Sequence, residues 1–279
     1  MKRYLAILLS LTLSSAWVAC DITAESYEGE PNVYGIVSTD SSVATIMVGR
    51  TTSILDTIEV DTVYDTFWFG DVVVFVDTVT KYPWNGTSGA DVVLVSGDER
   101  YVLTEDDDSL GYYRTEAMEF SAAETWELEI TYPEGEVVAE RTTLVDEFEL
   151  TSPDRDTLLE EDSLKWDPAS GVEAYLVSIW LWLTFEDVDT VYIDSFRFHF
   201  FQSADTCFLP VEGFMAFFIK PDSLEFSVAA LDVNAYDYFY YDYYKNFKAL
   251  KLEDYMHIEG AWGVFGSQTV KKTRRYVVP

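Results

Sequence analysis

The residues best suited to recognition chemistry in this sequence are aromatic side chains that stand beside carboxylates. Seven of the nine residues from Tyr236 to Tyr244 are aromatic, and Trp180 and Trp182 share one face of a predicted strand. Flat rings beside acidic groups suit sugars and peptides, and Tyr and Trp are enriched at interfaces. The alternative is that these rings only fill the space between a sheet and an insertion. The predicted ligand or partner surface comprises Trp180, Trp182, Tyr236, Tyr238, Tyr240, Tyr241, Tyr243 and Tyr244.

A run of four acidic residues offers a second kind of chemistry. Glu105, Asp106, Asp107 and Asp108 carry the hard oxygen ligands that Ca²⁺ prefers. The run lacks the spacing and the glycine of an EF-hand loop, so a solvated hairpin tip is the favoured interpretation. Such a tip binds divalent ions weakly, and we expect no tightly held cofactor.

Signals for catalysis are sparse. The chain has two histidines, and His199 alternates with phenylalanines in a pattern typical of a half-exposed strand residue. No serine-nucleophile elbow, zinc-protease motif, phosphate-binding loop or dinucleotide fingerprint occurs. The sequence therefore predicts no catalytic residue and favours a non-enzymatic binding or accessory module. A hydrolase that uses dispersed carboxylates is the least favoured alternative.

The charge balance limits the partners. Against 18 Lys and Arg stand 50 Asp and Glu, a formal net charge of −32. With 48% hydrophobic and 16% aromatic residues, the chain is nevertheless expected to fold. Phosphate binding needs clustered cations, so nucleic acid is excluded as a partner. The excess of acid is interpreted as a coat that keeps an aromatic-rich protein in solution.

The N-terminus predicts export and an anchor. Lys2 and Arg3 precede an apolar run from Tyr4 to Leu13, which is the layout of a signal peptide over residues 1–19. A small residue before Cys20 resembles a bacterial lipobox, so Cys20 is the predicted lipidation site and the chain's link to a membrane. Ordinary signal cleavage without lipid is the alternative. Residues 20–31 are predicted to form an acidic tether, and Cys207 to be a buried, small apolar residue.

From Asn32 onward the pattern predicts strands. Apolar and polar residues alternate from Trp126 to Tyr132, and a turn sequence then leads to a second strand. Asn85-Gly86 is interpreted as a type I′ turn. Thr151-Ser152-Pro153 suggests a domain boundary. The predicted fold is all-β, with Ig-like or fibronectin-like sandwiches at 32–149 and 150–279 and a short helical or irregular insertion near 236–252.

Two structural families resemble these halves. Residues 32–149 resemble the transthyretin-like, carboxypeptidase-regulatory β-sandwich. The resemblance lies in residues 33–37, 89–94, 103–105, 111–113 and 126–135. Where that pattern usually has glycine before the last strand pair, this chain has Ala122 and Ala123. Residues 150–279 resemble a fibronectin type III sandwich, through residues 164–168, 174–179 and 224–232.

The order of these parts also resembles a family of Bacteroidota envelope lipoproteins known only as a domain of unknown function. A lipobox, a regulatory-like sandwich and a segment such as Gly260–Gly266 follow each other in that order. The resemblance implies a lipid-anchored protein of the outer membrane or cell surface, with an outer-membrane transporter or another envelope protein as partner. A structural or assembly subunit of such a transport complex is the alternative to a module that binds a glycan or peptide.

Overall fold

The computed structural model describes residues 29–51, 61–69, 72–81, 84–187, 190–212, 222–245 and 248–277. Strands make up most of these residues, and they contain one α-helix. The predicted all-β sandwich class with a helical insertion is therefore confirmed. The signal peptide, Cys20 and most of the tether lie outside the described residues. Among the described residues, no helix has the length and apolar composition needed to cross a bilayer.

Eighteen strands and one α-helix follow one another along the described residues. The strands are β1 (Pro31–Ser38), β2 (Thr45–Arg50), β3 (Asp61–Phe69), β4 (Val72–Lys81), β5 (Asp91–Ser96), β6 (Glu99–Val102), β7 (Thr104–Glu105), β8 (Tyr112–Arg114), β9 (Thr125–Thr131), β10 (Val137–Thr143), β11 (Leu150–Ser152), β12 (Thr157–Leu158), β13 (Ser163–Trp166), β14 (Ala174–Asp187), β15 (Thr190–Ser203), β16 (Phe208–Pro210), β17 (Ser223–Leu231) and β18 (Trp262–Val277). The helix α1 spans Val233–Tyr244, and a 3₁₀ turn follows at Leu252–Asp254.

The hairpin of β3 and β4 belongs to a different compact unit from the other strands. Its two strands pair antiparallel from Asp61 opposite Lys81 to Phe69 opposite Val72. The register shifts once, between Phe67 and Trp68.

The remaining strands are organised around one nine-stranded sheet. Its order is β15-β14-β17-β18-β1-β2-β8-β7, with β12 also beside β18. The first half of β18 runs parallel to β1, from Asn32 opposite Trp262 to Ser38 opposite Gln268. The second half of β18 pairs antiparallel with β17. The strand therefore joins the two parts of the chain in one sheet.

Two smaller sheets complete the layers and enclose two separate cores. The four-stranded sheet β10-β9-β5-β6 packs on the β1–β2 part of the large sheet, and Trp126 is the largest side chain buried between them. The three-stranded sheet β11-β13-β16 packs on β14 and β17 around Tyr175 and Trp166. Leu144 belongs to the first core and Val145 to the second. The predicted domain boundary near residue 150 lies close to this passage from the first core to the second. It stays a prediction, because the large sheet contains strands from both sides of the boundary.

Local patterns explain most strands. In β9 the buried residues alternate with the others, as the sequence predicts. In β14 the residues Tyr175, Val177, Ile179 and Leu181 all face the second core, so Trp180 and Trp182 lie on the opposite face of the sheet.

The Asn85-Gly86 prediction was wrong. Neither residue has the positive φ that a type I′ turn requires. Gly86 instead bridges to Gly49, and a Cβ on Gly86 would lie 2.1 Å from the carbonyl oxygen of Leu110. The glycine is needed for close approach of three backbone segments, a constraint that the dipeptide itself does not reveal.

The alanine pair before β9 contains one residue in the left-handed region. Ala123 has φ of 60° and is exposed, and its N–H donates to the carbonyl of Leu144. Glycine adopts this conformation without the clash that a Cβ brings. We expect Ala123→Gly to raise the free energy of unfolding by about 0.5–1 kcal/mol in urea denaturation. The neighbouring Ala122→Gly is the matched control, since it only adds unfolded-state entropy; a gain there as large as at Ala123 would refute the explanation.

Candidate ligand-binding surface

Helix α1 lies on the face of the large sheet that points away from the second core. Asp232 caps its N-terminus, because a side-chain oxygen accepts a hydrogen bond of 2.8 Å from the Ala235 N–H. Apolar residues of the helix and sheet form a small third core beneath it, which comprises Ile36, Leu176, Phe201, Ala229, Leu231, Ala235, Tyr236, Phe239 and Val270. The helix therefore rests on strands from both parts of the chain.

A buried polar network ties the start of the helix to β10 and β18. Asp232 Oδ1 accepts a second bond of 3.0 Å from the Ser267 N–H, and Oδ2 accepts one of 2.5 Å from the Thr142 hydroxyl. The Asn234 amide donates to the carbonyl oxygens of Arg141 and Phe265, both at 2.9 Å. Because Asp232 and Asn234 are both buried, this network fixes where the aromatic residues of the helix are presented.

The burial of Asp232 has a consequence for its titration. Burial raises the pKa of its carboxyl, although Thr142, Ser267 and Ala235 all donate to it, and nearby Asp237 raises it further. A carboxyl with a higher pKa in the folded than in the unfolded chain binds its proton more tightly when folded. Lowering the pH through that raised pKa therefore adds stability, which is complete below the ordinary value of an aspartate.

This linkage predicts a pH-dependent difference between the native chain and Asp232→Asn. We expect the free energy of unfolding of the native chain to rise, relative to the variant, as the pH falls from neutral toward the ordinary aspartate pKa. Urea titrations of both proteins at matched pH values measure the difference between their free energies of unfolding. The repulsion among the other acidic residues is the same in both proteins and cancels in this difference. A difference that does not change with pH would show that Asp232 is not the titrating group.

Phe201 on β15 is the centre of the aromatic cluster. Its ring centroid lies 5.5 Å from Tyr236, 5.7 Å from Tyr240, 6.1 Å from Tyr244 and 6.2 Å from Tyr243. Four of the predicted tyrosines thus pack on one strand residue, as the space-filling alternative requires. Tyr243 still exposes 39% of its surface, so the cluster is also open to solvent.

A histidine extends this cluster to the first tryptophan. His199 lies 6.2 Å from Tyr243 and 6.4 Å from Trp180 between ring centroids, with edge-on geometry at both. The Ser178 hydroxyl lies 2.6 Å from His199 Nδ1 and orients the imidazole. The residues Trp180, His199 and Tyr243 therefore form a continuous series of rings that leads onto the helix. We call this series, together with Phe201, Tyr236, Tyr240 and Tyr244, the aromatic face.

Three predicted surface residues lie apart from the aromatic face. Trp182 lies under the Arg274 guanidinium, which is 4.9 Å from the indole centroid, and its own N–H has no hydrogen-bond partner among the described residues. Tyr238 pairs with Tyr34 on another side of the helix, where burial first and the nearby Tyr34 and Asp242 second raise the pKa of Tyr238 to about 12. Tyr241 contacts Tyr255 at 5.8 Å.

A lysine lies over two of the tyrosines at the end of the helix. Lys248 Nζ is 3.9 Å from the ring centroid of Tyr244 and 4.7 Å from that of Tyr240, and it donates to the Tyr240 hydroxyl. Tyr255 stacks on Tyr240, with ring centroids 5.9 Å apart and an interplanar angle of 19°. Neither Lys248 nor Tyr255 carries a local sequence signal that would place it here.

The acidic run Glu105–Asp108 is engaged within the hairpin tip. Glu105 accepts hydrogen bonds from the Ser88 hydroxyl (2.7 Å) and from the Gly89 and Gly111 N–H groups (3.1 and 3.0 Å). Burial acts to raise the pKa of this carboxyl, but these bonds outweigh it and the pKa is lowered. Asp106 pairs with Arg114 at 2.7 Å, while Asp107 and Asp108 are exposed. Within the described ranges, no group of three His, Cys, Asp or Glu side chains is arranged to hold a metal ion.

A cavity of about 440 Å³ beside the start of α1 is lined by two carboxylates, those of Asp232 and Glu173. The oxygens of Asp232 are already used to cap the helix and to accept from Thr142 and Ser267. The hydrolase alternative therefore gains no support from this cavity.

Cys207 is a free thiol and only half-buried, with its sulfur 4.0 Å from the Tyr175 hydroxyl.

Comparisons with known proteins add little. No family model matches the chain, and no curated protein matches it. Among solved structures, it is similar to one described as "Structural insight into host cell surface retention of a 1.5-MDa bacterial ice-binding adhesin". The likeness has 10% sequence identity and a TM-score of 0.16, and covers 88% of this chain. The chain spans 63% of the length of that adhesin chain, and a likeness of this size carries no argument about fold or function.

Proposed function

We propose that this chain is a lipid-anchored protein of the bacterial cell envelope that acts as a non-enzymatic binding module for a glycan or peptide. The observation that carries the proposal is the aromatic face, in which Trp180, His199 and Tyr243 continue into the rings of α1. Rings held in this way offer flat apolar area with polar edges. The tether and the lipid on Cys20 would hold that surface near the membrane.

The rigidity of the aromatic face supports a binding role. The helix is held by buried hydrogen bonds at Asp232 and Asn234, and its tyrosines are held by Phe201. A ligand that stacks on Tyr243 therefore meets a ring whose position is already set, and the entropy lost on binding is small. His199, whose Nδ1 lies 2.6 Å from the Ser178 hydroxyl, adds a hydrogen-bonding group to this surface.

The test is a glycan and peptide array probed with the native chain and with Tyr243→Ala. Because an aromatic contact contributes about 0.5–1.5 kcal/mol, we expect the variant to bind the captured ligand up to about tenfold more weakly. Phe208→Ala is the matched control, since Phe208 is an aromatic residue 51% exposed on β16, outside the aromatic face. Equal loss in both variants, or no binding by the folded native chain, would overturn the ligand role.

The anchor has its own test. Cells that express the chain are labelled with a palmitate analogue, and we expect label on the native protein and none on Cys20→Ser. Protease treatment of intact cells then distinguishes the cell surface from the inner face of the outer membrane. Equal labelling of both proteins would refute lipidation at Cys20.

A further inference from the structure

Lys248, just after the end of α1, contacts tyrosine rings and forms no ion pair among the described residues. Its ammonium lies 3.9 Å from the ring centroid of Tyr244, within the range of cation–π attraction, and 4.7 Å from that of Tyr240, to whose hydroxyl it donates. Tyr255 stacks on the Tyr240 ring. We refer to Tyr240, Tyr244 and Tyr255 as the tyrosine cage.

The neighbouring lysine shows that this placement is specific. Lys245, three residues earlier, pairs with Asp242 at 2.6 Å. Lys248 forms no ion pair within the described part of the chain, although the sequence holds 50 acidic residues. Hydrogen bonding to the Tyr240 hydroxyl raises the pKa of Lys248, so the group in the cage is a cation. The cage therefore attracts an ammonium group even where carboxylates are abundant.

We propose that the tyrosine cage is a binding site for the organic ammonium group of a ligand, and that Lys248 is an internal occupant which the ligand displaces. Faces of aromatic rings recognise ammonium and quaternary ammonium groups through their negative quadrupole. The proposal rests on the binding role of the aromatic face and names one chemical feature of its ligand. The strongly negative chain also concentrates cations around the site.

The internal occupant sets how tightly a ligand binds. Lys248 follows Tyr244 closely in the chain and is exposed, so it can leave the cage and return to it. A group tethered by a short segment competes with an effective concentration on the order of millimolar. A free ammonium ligand with the same intrinsic affinity as Lys248 must exceed that concentration to displace it. The native site is therefore weak, and removal of Lys248 is the informative change.

The experiment is a titration of the native chain and of Lys248→Ala with choline, followed by the tyrosine resonances in NMR spectra. We expect the variant to bind choline at least about fivefold more tightly, because the tethered competitor is gone. The neutral carbon isostere of choline, 3,3-dimethylbutan-1-ol, should bind neither protein measurably. Lys245→Ala is the matched control, since it removes a nearby lysine that is paired with Asp242, and it should bind choline as the native chain does.

Two results would overturn the proposal. One is equal choline affinity in Lys248→Ala and Lys245→Ala, and the other is equal binding of choline and its neutral isostere. A third variant, Lys248→Ala with Tyr244→Leu, should lose the gained affinity while thermal unfolding reports whether it is folded. The array measurement with Tyr243→Ala leaves the cage rings intact, so failure of the ammonium site is distinguishable from failure of the aromatic face as a whole.

Discussion

We expect Gly263→Ala to lower the free energy of unfolding by about 3–5 kcal/mol, enough to unfold many domains of this size. Gly263 has φ of 116°, where an L side chain is strained. It also lies opposite Val33 in the parallel pairing of β1 and β18. A Cβ at this position would be 1.8 Å from the Val33 carbonyl oxygen and 2.8 Å from its carbonyl carbon. Since both contacts are backbone, relief requires the two strands to separate.

The measurement is urea denaturation followed by tryptophan fluorescence. Gly135→Ala is the matched control, because Gly135 has φ of 97° but nothing within 4 Å of the added Cβ. Gly135→Ala should lower the free energy of unfolding only by the conformational cost of a side chain at positive φ, about 1–2 kcal/mol. If the two variants lost the same stability, the close approach of β1 and β18 would be irrelevant and backbone strain alone would explain Gly263.

The second large effect is expected for Asp232→Ala, at about 3 kcal/mol. The substitution removes the acceptor of three hydrogen bonds, from Ala235, Ser267 and Thr142. Loss of a helix cap costs about 0.5–2 kcal/mol, and each buried donor left without an acceptor costs about 1–3 kcal/mol. Because the Thr142 hydroxyl can rotate toward another acceptor, the total is less than the sum of these terms.

The loss should be accompanied by release of the helix from the sheet. Near-ultraviolet circular dichroism reports the packing of the tyrosines on Phe201 and should weaken below the unfolding temperature. Val233→Ala is the control, since Val233 is the next residue, 51% exposed and outside the polar network. A native-like tyrosine signal in Asp232→Ala would show that the aromatic contacts alone hold α1 in place.

Much of the local structure could be predicted because it depends on neighbouring residues. The alternation from Trp126 to Tyr132 specifies which face of β9 is buried, and the residues that follow it supply the turn into β10. The parallel pairing of β1 with β18 could not be predicted in this way. Thr39, directly after β1, and Thr269 of β18 are hydrogen-bonded at 2.8 Å although they are 230 residues apart, and no local pattern encodes such a pairing.

The candidate site also combines residues that local sequence patterns indicate with residues that depend on the fold. Trp180 and the tyrosines of α1 could be recognised from composition, and alternation placed Trp180 away from the core. Which tyrosines face Phe201 depends on where the helix docks, so composition alone does not separate Tyr238, which pairs with Tyr34, from the tyrosines that pack on Phe201. His199 and Phe201 were predictable as same-face residues of one strand, two positions apart. Tyr255 directly follows the 3₁₀ turn after α1, and no sequence signal indicates its contact with Tyr240.

The position of β18 also determines when the protein can finish folding. This strand follows all the other described strands in the chain, yet β17 and β1 pair with it on both sides. A ribosome or an export channel that releases the chain from its N-terminus therefore delivers the central strand after its neighbours. Until residues 262–277 emerge, the edges of β1 and β17 have no partner, and closing so long a loop is slow. A chain that stays open until then remains exposed to chaperones, and it reaches its final structure only after this last described strand has paired.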